Sequence, residues 1–415
     1  MSRPRVVVTG MGAVSAAGIG VEALWQACRS GKSAVGELEF QRPGRLHVTI
    51  GAQLKGFEPD QYIEPEMLLF CDRFTQFALV AADQALSQAG FSRVRPLGER
   101  TGVIIGTGGG GIGSIEETYY ALHVIEPRHD PSKKPKLILG IPLTIPRAMN
   151  NAAASHIGMR YGCAGPTFAV SSACSSANQA IGLGAFLIRS GAIDRAVVGG
   201  SEAGITPGSV RAWETLRLLT PDCCRPFSKG RNGMVLGEGA GIFVLETPEA
   251  AHERGAKPLA EILGYGTSSD AKDIIRPDAG GAAASMRLAF EDAGLKSDDI
   301  DYINAHGTGT FINDAVEAEA VRLVFGNYIS KLAVSSTKPI HGHALGATGA
   351  LELAITIKAL HENVIPPTIN WVEKDPDCDI DVVPNEARET PIRAAMSTAF
   401  AFGGINAVLV VGRPN

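Results

Sequence analysis

The chain has no block of basic residues, no apolar run of membrane-spanning length and no cysteine pair at metal-ligand spacing. Its net charge of −5 and its pI near 6.0 argue against general binding of nucleic acid. The first residues lead into an apolar strand and lack the features of a signal peptide. Seven cysteines, an odd number, indicate reduced thiols and a cytoplasmic protein. We therefore expect a soluble globular protein that neither spans a membrane nor binds nucleic acid.

Glycine is abundant, with 49 residues, and many glycines recur in the same order in two parts of the chain. Each part has a strand ending in Gly-x-Gly, a helix ending near a glycine, a strand opening into glycines and threonines, and a strand running into a helix of small residues. The matched segments are 5–12 with 260–266, 85–92 with 289–297, 101–111 with 301–310, and 168–182 with 332–354.

This repetition indicates an internal duplication of a strand-and-helix unit, with a boundary near residue 255. We expect an α/β fold of two halves, 1–255 and 256–415, in which helices pack on mostly parallel sheets. The first half is longer, and its surplus falls at about 13–75 and 112–165. Insertions of this kind typically cap a site or form an interface.

One cysteine stands where an apolar strand gives way to a helix of small residues. Unpaired N–H groups and the dipole at a helix start favour the thiolate, so Cys174 is a candidate nucleophile. A free cysteine is more often buried apolar filler. The duplication places Cys174 and the segment His341 to His343 at equivalent positions, and the packing of two halves would bring them together.

Histidine is scarce, with nine residues, yet His306, His341 and His343 fall on glycine-rich turns of the second half. This pattern favours a catalytic site over isolated surface histidines. A metal site is disfavoured because no carboxylate or cysteine pair stands at the usual spacing. The glycines at 106–111 do not match a phosphate loop and suit close approach to a long, thin ligand.

The segment before the last apolar strand contains Phe400, Phe402, Gly403 and Gly404. One interpretation is a plain turn before a strand. The other is a hinge-like loop whose aromatic side chains cover a site while the glycines supply the turn. The residues alone do not decide between the two.

Taken together, these motifs resemble an elongating β-ketoacyl-acyl carrier protein synthase, a condensing enzyme of the thiolase superfamily. The resemblance covers essentially the whole chain and implies a thiolase-like fold, with two duplicated halves whose central sheets lie in a five-layered αβαβα arrangement. The segments that carry it are RVVVTGMGAVS, ACSSA, PFSKGRNGMVLGEGAG, NAHGTGT, STKPIHGHALGATGALE and the FGG loop.

The resemblance implies roles for the candidate residues. Cys174 would accept an acyl chain from a carrier-protein thioester. His306 and His343 would bind the malonyl thioester carbonyl and stabilise the enolate that decarboxylation leaves. Backbone N–H groups of Cys174 and Phe402 would form an oxyanion hole, and Phe402, together with Phe400, would gate the acyl pocket.

The resemblance also implies a supporting set around this centre. Thr308 and Thr310 would hydrogen-bond the phosphopantetheine arm, and Lys338 with Glu352 would form a charged pair that organises the histidines. No cofactor is expected, because decarboxylation itself supplies the carbanion. The implied partners are an acyl carrier protein and a second subunit, in a homodimer or in a heterodimer with a related ketosynthase chain.

Departures from the family pattern favour a specialised polyketide, polyene or nodulation-type synthase over a housekeeping enzyme. Gly109 replaces a residue that limits acyl entry, and the apolar segment 66–70 replaces a basic surface for the carrier protein. Ala401, His341 and Ile405 also depart from the pattern.

One alternative function is that of a non-catalytic chain-length partner, which would lack the cysteine. The other is a degradative thiolase, which would need a second cysteine in the C-terminal loop.

Overall fold

The computed structural model describes residues 4–42, 44–125 and 141–414. Regular helices and strands fill most of these ranges. The strands are β1 (Val7–Ser15), β2 (Gly18–Ile19), β3 (Gly36–Glu37), β4 (Ile50–Gly51), β5 (Thr101–Gly106), β6 (Thr167–Val170), β7 (Arg195–Glu202), β8 (Gly239–Glu246), β9 (Ala260–Ser269), β10 (Tyr302–Asn304), β11 (Ala333–Ser335), β12 (Val364–Ile365), β13 (Arg388–Glu389), β14 (Ala394–Ala401) and β15 (Ile405–Gly412).

The α-helices of the described residues alternate with these strands, and short 3₁₀ turns join several of them. The helices are α1 (Val21–Ser30), α2 (Pro65–Leu68), α3 (Arg73–Gln88), α4 (Ile112–Tyr120), α5 (Thr144–Ala148), α6 (Ala152–Tyr161), α7 (Ser176–Arg189), α8 (Pro207–Thr215), α9 (Pro248–Glu253), α10 (Ala279–Ala293), α11 (Phe311–Phe325), α12 (Lys338–His341) and α13 (Thr348–Glu362). Of the long first-half insertion expected at 112–165, residues 126–140 lie outside the described residues.

A large mixed sheet runs through the molecule in the order β11-β10-β14-β15-β9-β1-β8-β7-β5-β6, with β2 paired to β1. Its two ends repeat one pattern, since β6-β5-β7-β8-β1 matches β11-β10-β14-β15-β9 strand for strand. The two runs meet where Val7 of β1 pairs with Glu261 of β9, and Val8 with Ala260. The matched strand segments of the sequence therefore occupy equivalent places in the sheet.

The expectation of mostly parallel sheets needs one correction. β5 is parallel to both its neighbours, and so is β10 in the second half. However, β8 and β15 run antiparallel to both of theirs. Each half thus carries one reversed strand, which periodicity cannot reveal because it reports which faces are buried and not strand direction.

The helices confirm the expected thiolase-like α/β layering. α3 and α6 cover the outer face of the first half, and α10 with α11 cover that of the second half. Between the two sheet regions lie α7 and α13, each of which packs on strands of both halves. α13 is apolar on nearly every side, which is typical of a helix buried all round.

Small residues allow α13 to lie close to the sheet. Gly241 of β8 faces Ala350 of α13, and a Cβ atom at Gly241 would lie 2.7 Å from the Ala350 carbonyl carbon. Such a distance is too short for any side chain, so glycine is required at this crossing. The central helices are thereby locked against the strands that carry the candidate site.

Two further features bear on the organisation. All seven cysteines lie in the described residues and are free thiols. Every described helix falls short of the length and hydropathy needed to cross a membrane. The division near residue 255 falls between α9 and β9 and stays a prediction.

Candidate active site

Cys174 lies on a tight turn between β6 and α7. Ala173 before it has φ of 50°, a left-handed conformation that is unfavourable for a residue with a side chain. Serine side chains hold this turn: the Ser176 hydroxyl donates to the Ala173 carbonyl at 2.6 Å, and the Ser175 hydroxyl to the Ser172 carbonyl at 2.8 Å. The thiol is thus fixed at a strained strand-to-helix junction and is 8% exposed.

The fold brings Cys174 together with the two histidines expected at equivalent turns of the second half. Cys174 Sγ and ring nitrogens of His306 and His343 all lie within 4.8 Å of one another, and all three residues are buried. His306 follows β10, and His343 follows α12. Their ring centroids are 5.3 Å apart, with the planes at 84°. No carboxylate of the described residues joins this cluster.

Burial sets the protonation of the thiol. Removal from water raises the pKa of Cys174 to about 12, and the nearby charge of Lys338 opposes that rise only in part. The expectation that the helix start would stabilise a thiolate is therefore wrong for the resting site. Desolvation is the largest cause of the raised pKa, and the thiol keeps its proton at neutral pH.

Both histidines of the cluster are neutral for the same reason. Burial, reinforced by the positive charge of Lys338, lowers the pKa of His306 and of His343 well below the ordinary value. The Leu345 N–H donates to His343 Nδ1 at 3.2 Å, so Nδ1 is an acceptor and the ring proton is on Nε2. The His343 ring can therefore present an N–H donor from Nε2.

Two buried carboxylates that the sequence reasoning missed support the His306 turn. Glu317 of α11 accepts the backbone N–H groups of His306 and Gly307 at 2.8 and 2.7 Å. Asp314, one turn earlier on the helix, accepts the Gly309 N–H at 3.2 Å. Burial raises the pKa of Glu317 to about 7. In the sequence, the signal for these two carboxylates was a pair of acidic residues three positions apart at the start of the helix after NAHGTGT.

The expected charged pair lies beneath the histidines. Lys338 Nζ is 2.6 Å from Glu352 Oε1, and both side chains are buried. Burial raises the pKa of Glu352 to about 7, against the opposing effect of Lys338. His341 is also buried, with Nε2 2.9 Å from the Thr337 hydroxyl, and burial lowers its pKa to about 3.

A cavity of about 360 Å³ leads to the cluster. Its walls include the two threonines of the NAHGTGT turn, whose hydroxyls are 2.7 Å apart, and both aromatic residues of the C-terminal segment. These predicted residues line the cavity together with Cys174, His306 and His343: Thr308, Thr310, Phe400 and Phe402.

The C-terminal segment is a three-residue hairpin turn between β14 and β15. Ala401 pairs with Ile405, which leaves Phe402, Gly403 and Gly404 in the turn, and both glycines have positive φ. The Gly403 N–H donates to the Ile274 carbonyl at 2.8 Å. The turn is thus attached to the loop after β9, and Phe402 stands at the cavity wall.

Gly109, which was predicted to shape the acyl pocket, does not line this cavity. It is exposed on the surface of the single chain, and its N–H donates to Glu202 Oε1 at 3.0 Å. A Cβ atom here would meet Glu202 Oε1 at 3.5 Å, an ordinary contact. Glycine is therefore not required by sterics at this position.

Comparison with known proteins finds two matching domain families. Residues 3–251 match the family described as "Beta-ketoacyl synthase, N-terminal domain", and residues 259–372 match "Beta-ketoacyl synthase, C-terminal domain". The chain is 45% identical to Nodulation protein E of Rhizobium sp. (strain N33) over 98% of each chain. It is 40% identical to the 3-oxoacyl-[acyl-carrier-protein] synthase 2 of Coxiella burnetii (strain RSA 493 / Nine Mile phase I), covering 100% of this chain and 99% of that one.

Among solved structures, one entitled "The ishigamide ketosynthase/chain length factor" superposes with a TM-score of 0.92 at 35% identity, over 100% of both chains. The likeness thus extends over the full length in both sequence and fold.

Proposed function

The chain belongs to the β-ketoacyl synthase family, and from that premise we propose that Cys174, His306 and His343 carry out a decarboxylative condensation. The activity is that of a β-ketoacyl-acyl carrier protein synthase, an acyltransferase that forms a carbon–carbon bond. The observation that supports this assignment of residues is the approach of Cys174 Sγ and the two ring nitrogens to within 4.8 Å.

In the first step, Cys174 takes the acyl group from its carrier. Sγ bonds to the acyl carbonyl carbon while the thioester bond to phosphopantetheine breaks, and the leaving sulfur receives the thiol proton. Because the thiol is protonated at rest, this proton must leave Sγ as the bond forms, and a neutral imidazole beside it is the available relay. The Cys174 and Phe402 backbone N–H groups stabilise the tetrahedral oxyanion.

In the second step, the histidines bind the malonyl thioester carbonyl. The bond to the carboxylate breaks, CO₂ leaves, and the electron pair enters an enolate whose oxygen accepts the N–H of His343 Nε2 and a hydrogen bond from His306. The enolate carbon attacks the acyl carbonyl, and Cys174 leaves as a thiolate that takes up a proton from solvent. Neutral histidines suit this step because each ring can donate from one nitrogen.

The carrier arm would enter through the cavity. The hydroxyls of Thr308 and Thr310 are placed to hydrogen-bond a pantetheine amide. At the mouth, Arg217 and Arg276 are exposed, and a phosphate group would find cationic partners there. The partner is therefore an acyl carrier protein that bears acyl or malonyl phosphopantetheine. The buried ion pair of Lys338 and Glu352 orients the segment that carries His343.

We further propose a specialised pathway of polyketide, polyene or nodulation type. Leu69 and Phe70 are 60% and 40% exposed, and Glu66 lies beside them. An apolar surface of this kind suits a dedicated carrier or partner subunit better than a strongly acidic housekeeping carrier. The similarity to Nodulation protein E agrees with a specialised pathway.

Gly109 is proposed to admit long, stiff or unsaturated acyl chains once a second subunit covers it. Gly109→Ile should shift acyl-enzyme formation towards shorter chains, since the backbone has room for the Cβ atom and the added side chain would fill the space. Acylation of the variant and the wild type with chains of graded length measures this. An unchanged chain preference contradicts the proposal.

The assembly is proposed to be a homodimer, or a heterodimer with a related ketosynthase chain, in the cytoplasm. β6 is the last strand of the sheet, and Thr167 on it is exposed. The outer edge of a terminal strand offers backbone groups for pairing with a second chain. The alternative of a non-catalytic chain-length partner is less favoured, because the nucleophile and both histidines are present and adjacent.

The test is a reconstituted condensation with acyl and malonyl carrier thioesters. The wild type should release CO₂ and form the β-ketoacyl product. His306→Ala and His343→Ala should lose CO₂ release by a factor of about 10² or more while still forming an acyl adduct on Cys174. Decarboxylation that survives both histidine substitutions would contradict the proposed roles.

A further inference from the structure

Glu202 is a buried carboxylate at the end of β7 to which the mechanism above gives no role. Its Oε2 accepts the backbone N–H groups of Gly108 at 2.6 Å and Gly346 at 3.0 Å. Its Oε1 accepts the Gly109 N–H at 3.0 Å and the Thr107 hydroxyl at 3.3 Å. One side chain therefore joins the loop after β5, in the first half, to the turn after His343, in the second half.

The turn that Glu202 holds is the one that sets the His343 tautomer. The Leu345 N–H donates to His343 Nδ1, and the next N–H along the chain, that of Gly346, donates to Glu202. Leu345 has φ of 46°, a left-handed conformation that leucine rarely adopts. A strained residue is thus held between a hydrogen bond to the histidine and one to the carboxylate.

The two loops also touch backbone to backbone. A Cβ atom at Gly346 would lie 2.3 Å from the Gly108 nitrogen and 2.7 Å from Glu202 Oε2. The turn cannot shift towards the loop, and the hydrogen bonds to Glu202 keep it from shifting away. The position of the Leu345 N–H is therefore fixed from both sides.

We infer that Glu202 is a positioning residue for the condensation: it anchors the Leu345–Gly346 turn so that His343 keeps its proton on Nε2, aimed at the enolate. This inference rests on the proposed function. If the turn were released, Nδ1 would lose its backbone donor and keep only the Thr348 hydroxyl at 2.9 Å, which can accept as well as donate. Nδ1 could then take the proton, which would leave Nε2 as an acceptor that cannot stabilise an enolate oxygen.

The charge of Glu202 acts on Cys174 in the opposite sense. The carboxylate is one of the causes that raise the pKa of the Cys174 thiol, after burial itself. Removal of the charge should therefore leave the thiol at least as reactive, while it weakens the histidine-dependent step. A merely structural residue would weaken both steps together.

The experiment compares Glu202→Gln and Glu202→Leu with the wild type. CO₂ release from malonyl-pantetheine reports on the histidines, and alkylation of Cys174 by iodoacetamide, followed by peptide mass mapping, reports on the thiol. We expect CO₂ release to fall about tenfold in Glu202→Gln. A larger fall is expected in Glu202→Leu, which has no acceptor, and alkylation should be as fast as in the wild type or faster in both.

Asp72→Asn is the matched control. Asp72 is a buried carboxylate that accepts the Ser114 N–H and hydroxyl, both at 2.7 Å, and it belongs neither to the cavity lining nor to the Cys174 cluster. The rate of CO₂ release by the Asp72→Asn variant should equal that of the wild type. Unchanged CO₂ release in both Glu202 variants would overturn the inference, and so would a parallel fall of CO₂ release and alkylation. A wild type that releases no CO₂ would contradict the proposed function itself, and the inference with it.

Discussion

Cys174, His306 and His343 share a site from which water is largely excluded. Burial disfavours the charged form of each of the three side chains. It raises the pKa of the thiol and lowers the pKa of both imidazoles. The resting site is therefore neutral except for Lys338 and the buried carboxylates around it. Neutral rings suit enolate stabilisation, whereas the protonated thiol means that acyl transfer must be coupled to loss of its proton.

The protonated thiol leads to a prediction about pH. With a pKa of about 12, the thiolate fraction of Cys174 grows about tenfold per pH unit throughout the neutral range. The alkylation rate of Cys174 by iodoacetamide should therefore rise about a hundredfold from pH 7 to pH 9. Peptide mapping isolates this site from the half-exposed Cys223. A plateau below pH 8 would show instead a thiolate stabilised by the helix start.

At this scale the turns around Cys174, His306 and His343 predicted that these residues would lie together, and the family resemblance added Thr308 and Thr310. All five line one cavity, and their roles stay a prediction. The sequence reasoning misjudged the charge state of Cys174, since burial depends on packing from both halves. It also missed Glu202 and Glu317, whose partners are backbone N–H groups. Glu317 had a spacing signal, in the acidic residues at 314 and 317, whereas Glu202 has none because its partners come together only when the chain has folded.

At the scale of elements, the central helices α7 and α13 position the site because they lie between strands of both halves. Their small residues permit this close packing. The duplicated motifs predicted which strands correspond, and the repeated order of the sheet agrees with them. The sequence could not predict the direction of β8 and β15, because the burial pattern of a central strand is the same in either direction.

Gly241→Ala tests the packing of β8 against α13. A methyl group there would lie 2.7 Å from the Ala350 carbonyl carbon, so the free energy of unfolding in urea should fall by about 1–3 kcal/mol. Gly36→Ala is the control, because a Cβ atom at Gly36 meets nothing within 4 Å; its effect should stay within about 0.5 kcal/mol. Equal stabilities of the two variants would contradict the close approach.

At the scale of the whole molecule, the two halves meet at a site that neither could form alone, because Cys174 comes from the first half and both histidines from the second. The terminal strand β6 and the exposed Gly109 both lie on the first half, where the proposed second chain would complete the acyl side. The sequence predicted a second subunit from the family resemblance, and the first-half insertions indicated either a cap or an interface. Edge strands carry no distinctive pattern of their own.

The proposed assembly predicts the mass of the protein in solution. Sedimentation equilibrium of the purified chain should give about twice 43.4 kDa, the mass of one chain. A mass of one chain over the accessible concentration range would contradict the homodimer. A dimer that formed only after a related ketosynthase chain was added would then identify the heterodimer.

The central claim is that Cys174 carries the acyl group, and intact-mass analysis after mixing with a panel of acyl carrier thioesters tests it most directly. The wild type should gain the mass of the acyl group for at least one chain. Cys174→Ala should gain none, and Cys163→Ala, which alters another buried free cysteine, should behave as the wild type. Absence of any Cys174-dependent adduct across the whole panel would contradict the account.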